Sequence, residues 1–215
     1  MRSNVTYMAT PERLEQPGIR GWLHKPEKIQ AAMLLSHGAG GDCTAPLMMA
    51  VAKAFCDAGY CVLRWDLPFR QAGPRSSPGG SGKRDRDGIL LAVKLLRQLA
   101  PGVPLCLAGQ SYGGRQSSMV AAEDSSVADR LLLLSYPLHP PGKPGQLRTD
   151  HFGLLRTPVL FVHGTRDPFG TVEEISEAIK LIPVAARLQV VEGAGHGVPP
   201  ATAASMPAWL SGAGT

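Results

Sequence analysis

The sequence predicts an α/β domain built on a mostly parallel sheet with helices on both faces. Three observations carry that expectation: apolar runs of strand length recur along the chain, segments of helical period lie between them, and glycine-rich turns follow the runs. Runs that are apolar throughout, such as Ala31-Ala32-Met33-Leu34-Leu35, suit strands covered on both faces, because a strand with one face in water alternates instead.

Taken in order, Val5 and Tyr7, then Ile19, Gly21 and Leu23, alternate with polar neighbours and suit two short half-exposed strands at a sheet edge, with Pro17-Gly18 turning between them. Ala31 to Leu35 is the first buried strand and ends in His37-Gly38-Ala39-Gly40-Gly41-Asp42. Thr44 is placed to cap a helix whose first turn holds Pro46; Leu47, Val51, Ala54, Phe55 and Ala58 recur at helical spacing, and Gly59 stops it. Cys61 to Trp65 is the next strand, and Ile89, Ala92, Val93 and Leu96 form one face of a helix. Between them Leu67 to Lys83, rich in Pro, Gly, Ser and Arg, reads as a long loop of the functional or mobile kind.

Pro104 to Ala108 is a third buried strand and delivers the chain into Gly109-Gln110-Ser111-Tyr112-Gly113; the proline-free stretch to Glu123 then suits a helix. Arg130 to Ser135 is a fourth core strand, and Tyr136 to Arg156, with four prolines, is a connector. Pro158 to Val162 is the fifth, ending in His163-Gly164-Thr165-Arg166-Asp167. Thr171 and Glu174 make a capping box, Ile175, Ala178, Ile179 and Ile182 supply an apolar face, and Pro183 ends that helix. Leu188 to Val191 is the last strand, followed by Gly193-Ala194-Gly195-His196-Gly197 and a final helix around Trp209.

The 215 residues fit one domain, 1–215, and 44% hydrophobic with 18% charged residues describes a soluble globular chain. The start lacks the apolar run of a secretory signal and no apolar stretch approaches bilayer length, so a cytoplasmic protein without a membrane partner is expected. Four cysteines, Cys43, Cys56, Cys61 and Cys106, form no C-x-x-C pair and fall in helix-like or strand-like stretches, which suits buried free thiols. The six histidines are too scattered for a zinc site, so neither metal nor cofactor is expected. The net charge of +5 is not gathered into a basic helix or tail. Only Arg64 to Arg86 is locally basic, diluted by Asp66 and Asp85, and no nucleic-acid partner is expected.

The chemistry gathers at strand ends, where functional residues of a parallel sheet collect. Gly109-Gln110-Ser111-Tyr112-Gly113 has the pattern of a nucleophile elbow, a strained turn from strand to helix that lifts a serine hydroxyl above the sheet edge. A chain with 25 glycines can produce such a pentapeptide by chance, so its position between a strand and a helix matters more than the match itself. Asp167 follows a later strand and His196 the last one. A serine hydroxyl is a weak nucleophile until a base takes its proton; His196 is the base these residues offer, with Asp167 to hold its other nitrogen and stabilise the imidazolium. Each has a plainer rival: a turn serine, a helix-capping aspartate, a glycine-loop histidine. Asp66 is an alternative acid, less well placed in chain order. The N–H of Tyr112 and the N–H of Ala39 are the expected oxyanion donors, each such donor contributing about 3 kcal/mol to transition-state stabilisation. His37 and His163 read as packing and hydrogen-bonding residues.

Five segments, HGAGGD, LRWDLPFRQAGPR, GQSYGGR, SYPLHPPGKPGQLR and PVLFVHGTRD, together resemble the α/β-hydrolase superfamily over essentially the whole chain. More narrowly they are similar to a small lidless subgroup: bacterial dienelactone-hydrolase-like proteins, animal testis-expressed hydrolase-like proteins, and the hydrolase-like part of a chromatin acetyltransferase complex subunit. The resemblance implies an α/β-hydrolase fold without a cap domain and a Ser111, Asp167, His196 triad. Dienelactone hydrolases proper carry a cysteine at the elbow, and Ser111 departs from that. The expected function is a serine hydrolase for a small or polar ester or thioester, with a small-molecule acyl substrate; the alternative is a hydrolase-fold binding or scaffold protein. Arg70 and Arg75, with Arg115 beside the elbow and Arg148, suggest a carboxylate or phosphate on the substrate.

Overall fold

The computed structural model describes residues 10–212. An eight-stranded sheet runs through it in the order β1-β2-β4-β3-β5-β6-β7-β8. Its strands are β1 (Glu12–Gln16), β2 (Ile19–His24), β3 (Ala31–Ser36), β4 (Tyr60–Trp65), β5 (Leu105–Gln110), β6 (Arg130–Leu134), β7 (Val159–Gly164) and β8 (Ala186–Val191). β1 and β2 form an antiparallel hairpin at one edge and β2 runs antiparallel to β4; every other pairing is parallel.

The apolar runs alternate between two cores, which is why they read as continuous. In β3, Leu34 faces one side with Leu63, Leu107, Leu133 and Phe161, while Met33 and Leu35 face the other with Val62, Ala108, Leu132 and Val162. Helices α3 (Lys83–Leu99), α4 (Tyr112–Glu123) and α5 (Val172–Ala178) cover the first side, inserting Ile89, Leu96, Val120 and Ile175. Helices α1 (Pro46–Asp57) and α6 (Met206–Ser211) cover the second with Met48, Val51, Phe55, Met206 and Leu210. Burying side chains of this size stabilises by roughly 1.5–3 kcal/mol each before chain entropy is subtracted.

Several local expectations shift. The first described strand is Glu12–Gln16; Val5 and Tyr7 lie outside the described residues, while the Pro17-Gly18 turn sits where the sequence places it. Thr44 does not cap α1: its hydroxyl donates to Asp42 Oδ1 at 2.5 Å, and Ala45 stands at the cap position without a side-chain bond. The loop after β4 contains a short helix, α2 (Pro68–Gln71), and α3 already begins at Lys83. Thr171 and Glu174 do form the capping box of α5. All four cysteines are free; Cys43 lies in a loop and Cys56 is only half-buried. Burial pushes the thiols of Cys43 and Cys106 up to about 12, which keeps them protonated. Among the described residues no helix is long and apolar enough to cross a membrane.

Two partly buried histidines make stability depend on pH. His24 accepts the Nε–H of Arg64 at 2.9 Å, and burial, then the Arg64 charge, lowers its pKa from 6.5 to about 4. His151 bonds the Ser118 hydroxyl at 2.8 Å, and burial, then the Arg115 charge, takes it also to about 4. Between these values the unfolded chain binds protons that the folded chain refuses, so stability is full above about 6.5 and is lost as pH falls towards 4. Urea unfolding at a series of pH values should show this decline, and His151→Gln should make it shallower.

Candidate active site

The site forms where strand order reverses. From β3 the chain moves outward to β4 and returns to β5 on the opposite side, so the carboxyl ends of β3 and β5 open onto a crevice at the switch point. Ser36 stands opposite Gly109 in that parallel pair, bringing His37-Gly38-Ala39 alongside the elbow. Glycine is required there: a Cβ on Gly109 would lie 2.5 Å from the Gly114 nitrogen, and one on Gly113 would lie 2.5 Å from the His37 carbonyl oxygen.

Ser111 sits at φ 49° and ψ −115°, outside the usual range for an L-residue, and its own N–H is held by the Leu134 carbonyl at 2.8 Å. Ser135, after β6, shares the φ of 49° but is fully buried, whereas Ser111 lines a cleft of about 770 Å³. The Ser111 Oγ lies 2.8 Å from His196 Nε2. His196 Nδ1 lies 3.0 Å from both Asp167 carboxylate oxygens. A carboxylate only accepts, so Nδ1 carries the ring proton and Nε2 offers its lone pair to the serine hydroxyl.

Asp167 is fixed in turn. Its Oδ1 accepts the Phe169 N–H at 2.9 Å, and its side chain is fully buried. The Phe169 ring stacks on the His196 imidazole with centroids 3.9 Å apart. The loops carrying Asp167 and His196 are joined directly: Arg166 N–H donates to the Ala194 carbonyl at 2.8 Å, and Gly164 passes so close that a Cβ would meet the same oxygen at 2.3 Å. His163 Nε2 donates to the Gly170 carbonyl at 2.7 Å, leaving Nδ1 buried 3.9 Å from Asp167 Oδ2. Asp66 is engaged elsewhere, by Arg20 Nε and the Cys43 N–H, each at 2.8 Å.

Ala39 and Tyr112 line the same cleft as Ser111. Tyr112 opens α4, where the first amides have no helical acceptor, and its hydroxyl is anchored on the buried Asp85 at 2.7 Å. The Ala39 N–H belongs to the same peptide plane as the Gly38 carbonyl, which His37 Nδ1 holds at 2.8 Å. His37 Nε2 accepts the Leu67 N–H at 3.1 Å, which fixes that tautomer, and burial lowers the pKa of His37 so that the ring stays neutral. His37 thereby fixes the plane of the peptide that carries the Ala39 N–H. Arg70 is buried and its guanidinium serves this loop, donating to Ala39 O at 3.0 Å, Gly41 O at 2.9 Å and Pro74 O. Arg75 is exposed on the loop that follows, whereas Arg115 and Arg148 line the cleft. Among the described residues no group of three or more His, Cys, Asp or Glu side chains is arranged to hold a metal ion.

A family model described as an alpha/beta hydrolase domain matches residues 29–206. The chain belongs to the alpha/beta hydrolase family. Among solved structures, this alpha/beta hydrolase is similar to an alpha-beta serine hydrolase homologue from Coxiella burnetii, with TM-score 0.72 and 18% identity over 97% of this chain and 98% of that one. A dienelactone hydrolase from Anabaena variabilis gives TM-score 0.73 at 19% identity over 94% and 96%. A lidless α/β serine hydrolase from Xanthomonas campestris gives 0.69 at 19% over 88% and 86%. These likenesses, all below 25% identity, show a shared fold. The β6 to β7 connector holds one 3-10 turn, Phe152–Leu154, and no separate cap domain.

Phe169 is the site residue that sequence reasoning passed over; its place two residues after Asp167 was visible, its stacking on His196 was not. Replacing His37 by Ala removes two buried hydrogen bonds around the Ala39 peptide. Urea unfolding should register a loss of about 1–3 kcal/mol.

Proposed function

We propose that this alpha/beta hydrolase is a serine hydrolase cleaving a small or polar carboxylic ester or thioester through an acyl-enzyme. The observation that carries this is the unbroken chain from Ser111 Oγ through His196 to Asp167, at 2.8 and 3.0 Å, opening on the cleft. His196 Nε2 takes the proton as Ser111 Oγ attacks the carbonyl carbon, and the oxygen that becomes negative is received by the amides of Ala39 and Tyr112. The tetrahedral intermediate collapses as the imidazolium returns its proton to the leaving alcohol or thiol. Water, activated by the same imidazole, then releases the acid and regenerates Ser111.

The cleft around Ser111, about 770 Å³, has the size of a small-molecule site. Its walls include Gly38, Gly40, Gly41, Gly79 and Gly80, which leave room beside the nucleophile, and Arg115 and Arg148, which favour a polar group on the substrate. With no cap domain over it, the site admits a soluble acyl compound from solution. The partner is accordingly a small molecule rather than a nucleic acid or a membrane, and a cytoplasmic setting is compatible with the free, protonated thiols.

A fluorophosphonate probe should label the protein, and Ser111→Ala should abolish labelling. With a short-chain ester, His196→Ala or Ser111→Ala should lower kcat on the order of 10⁴ to 10⁶, and Asp167→Asn by about 10⁴. A well-folded protein that refuses the probe and turns over no ester would instead fit a binding protein that keeps the hydrolase shape.

A further inference from the structure

The charged side chains lining the cleft around Ser111, among the described residues, are Arg115 and Arg148. Arg115 lies one turn along α4 from the serine, and Arg148 comes from the connector between β6 and β7. Among the described residues neither guanidinium is paired with a carboxylate. Arg148 Nη1 reaches only the Pro137 carbonyl at 3.2 Å; the Arg115 guanidinium lies beside the Tyr136 hydroxyl, and its Nε is buried without a hydrogen-bond partner. Each guanidinium carries five N–H donors, so most of this donor capacity is unspent.

The contrast with Arg70 is instructive. Arg70 uses its donors on the carbonyls of Ala39, Gly41 and Pro74 and has a structural occupation. Arg115 and Arg148 have none of comparable extent, yet they are held close enough to disfavour each other: burial first, and the Arg115 charge second, lower the pKa of Arg148. The nearby titratable groups do not compensate, since His151, at about 4, is neutral at pH 7 and burial keeps the Tyr136 phenol protonated. Arg148 is also not free to swing away as a whole. Its backbone N–H donates to Leu138 O at 2.8 Å and its carbonyl receives the Tyr136 hydroxyl at 2.7 Å. Two like charges fixed in a cleft with unsatisfied donors cost stability, and a ligand that neutralises both offsets that cost.

We propose that Arg115 and Arg148 form an anion subsite within the Ser111 cleft, so that the substrate carries a carboxylate or phosphate besides its scissile acyl bond. Planar guanidinium forks match either group, and charge-assisted hydrogen bonds of this kind are the strong ones. The subsite deepens the proposed hydrolase function and rests on it for the bond that is cleaved, although anion binding does not require catalysis.

The test uses short esters bearing a terminal carboxylate or phosphate, on the acyl or the alcohol part, each matched to a neutral ester of the same length. The wild type should favour at least one charged member by about 10- to 100-fold in kcat/KM, the range that one or two charge-assisted hydrogen bonds supply. Whether carboxylate or phosphate gives the larger ratio identifies the group. In Arg115→Gln and in Arg148→Gln the charged-to-neutral ratio should collapse towards one, and Arg148→Lys should restore part of it. Equal kcat/KM for every matched pair, or a ratio unchanged in both glutamine variants, overturns the subsite. Calorimetric titration of Ser111→Ala with the same esters separates the two proposals: tighter binding of a charged ester, lost with Arg148→Gln, upholds the subsite even where wild-type Ser111 proves unreactive. Equal affinity for charged and neutral esters refutes it even where the probe labels Ser111.

Discussion

The close approach of bare backbone at the carboxyl edge of the sheet is the constraint on which the site depends. Gly109 and Gly113 let the start of α4 rest directly against the ends of β3 and β5, and Gly164 lets the Asp167 loop touch the His196 loop. A methyl group at any of these positions would force main-chain atoms apart, and cores transmit such displacements because they are close-packed. Ser111, the Gly38-Ala39 turn, Asp167 and His196 are therefore positioned through main-chain contacts.

Charge is arranged with the same economy. Asp167 is buried and directed at His196, Asp66 is consumed by Arg20 and the Cys43 amide, and Asp85 holds Tyr112 and the Phe69 N–H. The carboxylates near the site thus face into structure while guanidinium groups face the opening. Such a cleft favours negative charge, whether it arrives on a ligand or develops on a carbonyl oxygen during attack.

The six parallel strands, β3 to β8, were legible because each contains a short apolar run between turns, and the order of Ser111, Asp167 and His196 was legible because each follows such a run. Edges were harder. β1, with sequence ERLEQ, directs only Leu14 towards the core, so its pattern does not stand out from a polar loop. Thr44 has the right residue type for a cap, but Asp42 is nearer and captures its hydroxyl. The role of His37 depends on a partner thirty residues away, the Leu67 amide, and the proximity of Arg115 to Arg148 depends on how a proline-rich connector folds back. Neither arises from a local repeat, and the expectation for Arg70 missed for the same reason: its acceptors are backbone atoms of a different loop.

One wall of the cleft is built differently from the rest. Around Pro78, Gly79 and Gly80 the main-chain bonds remain local, Ser76 to Gly73 and Gly82 to Gly79, whereas the opposing walls are tied into buried strands and helices. Substitutions at Pro78 and Gly79 bear little on folding, since loops of this kind tolerate exchange, whereas Gly80, at φ 58°, favours glycine. The shape of the cleft can therefore be altered at these few residues while the buried framework beneath keeps its packing.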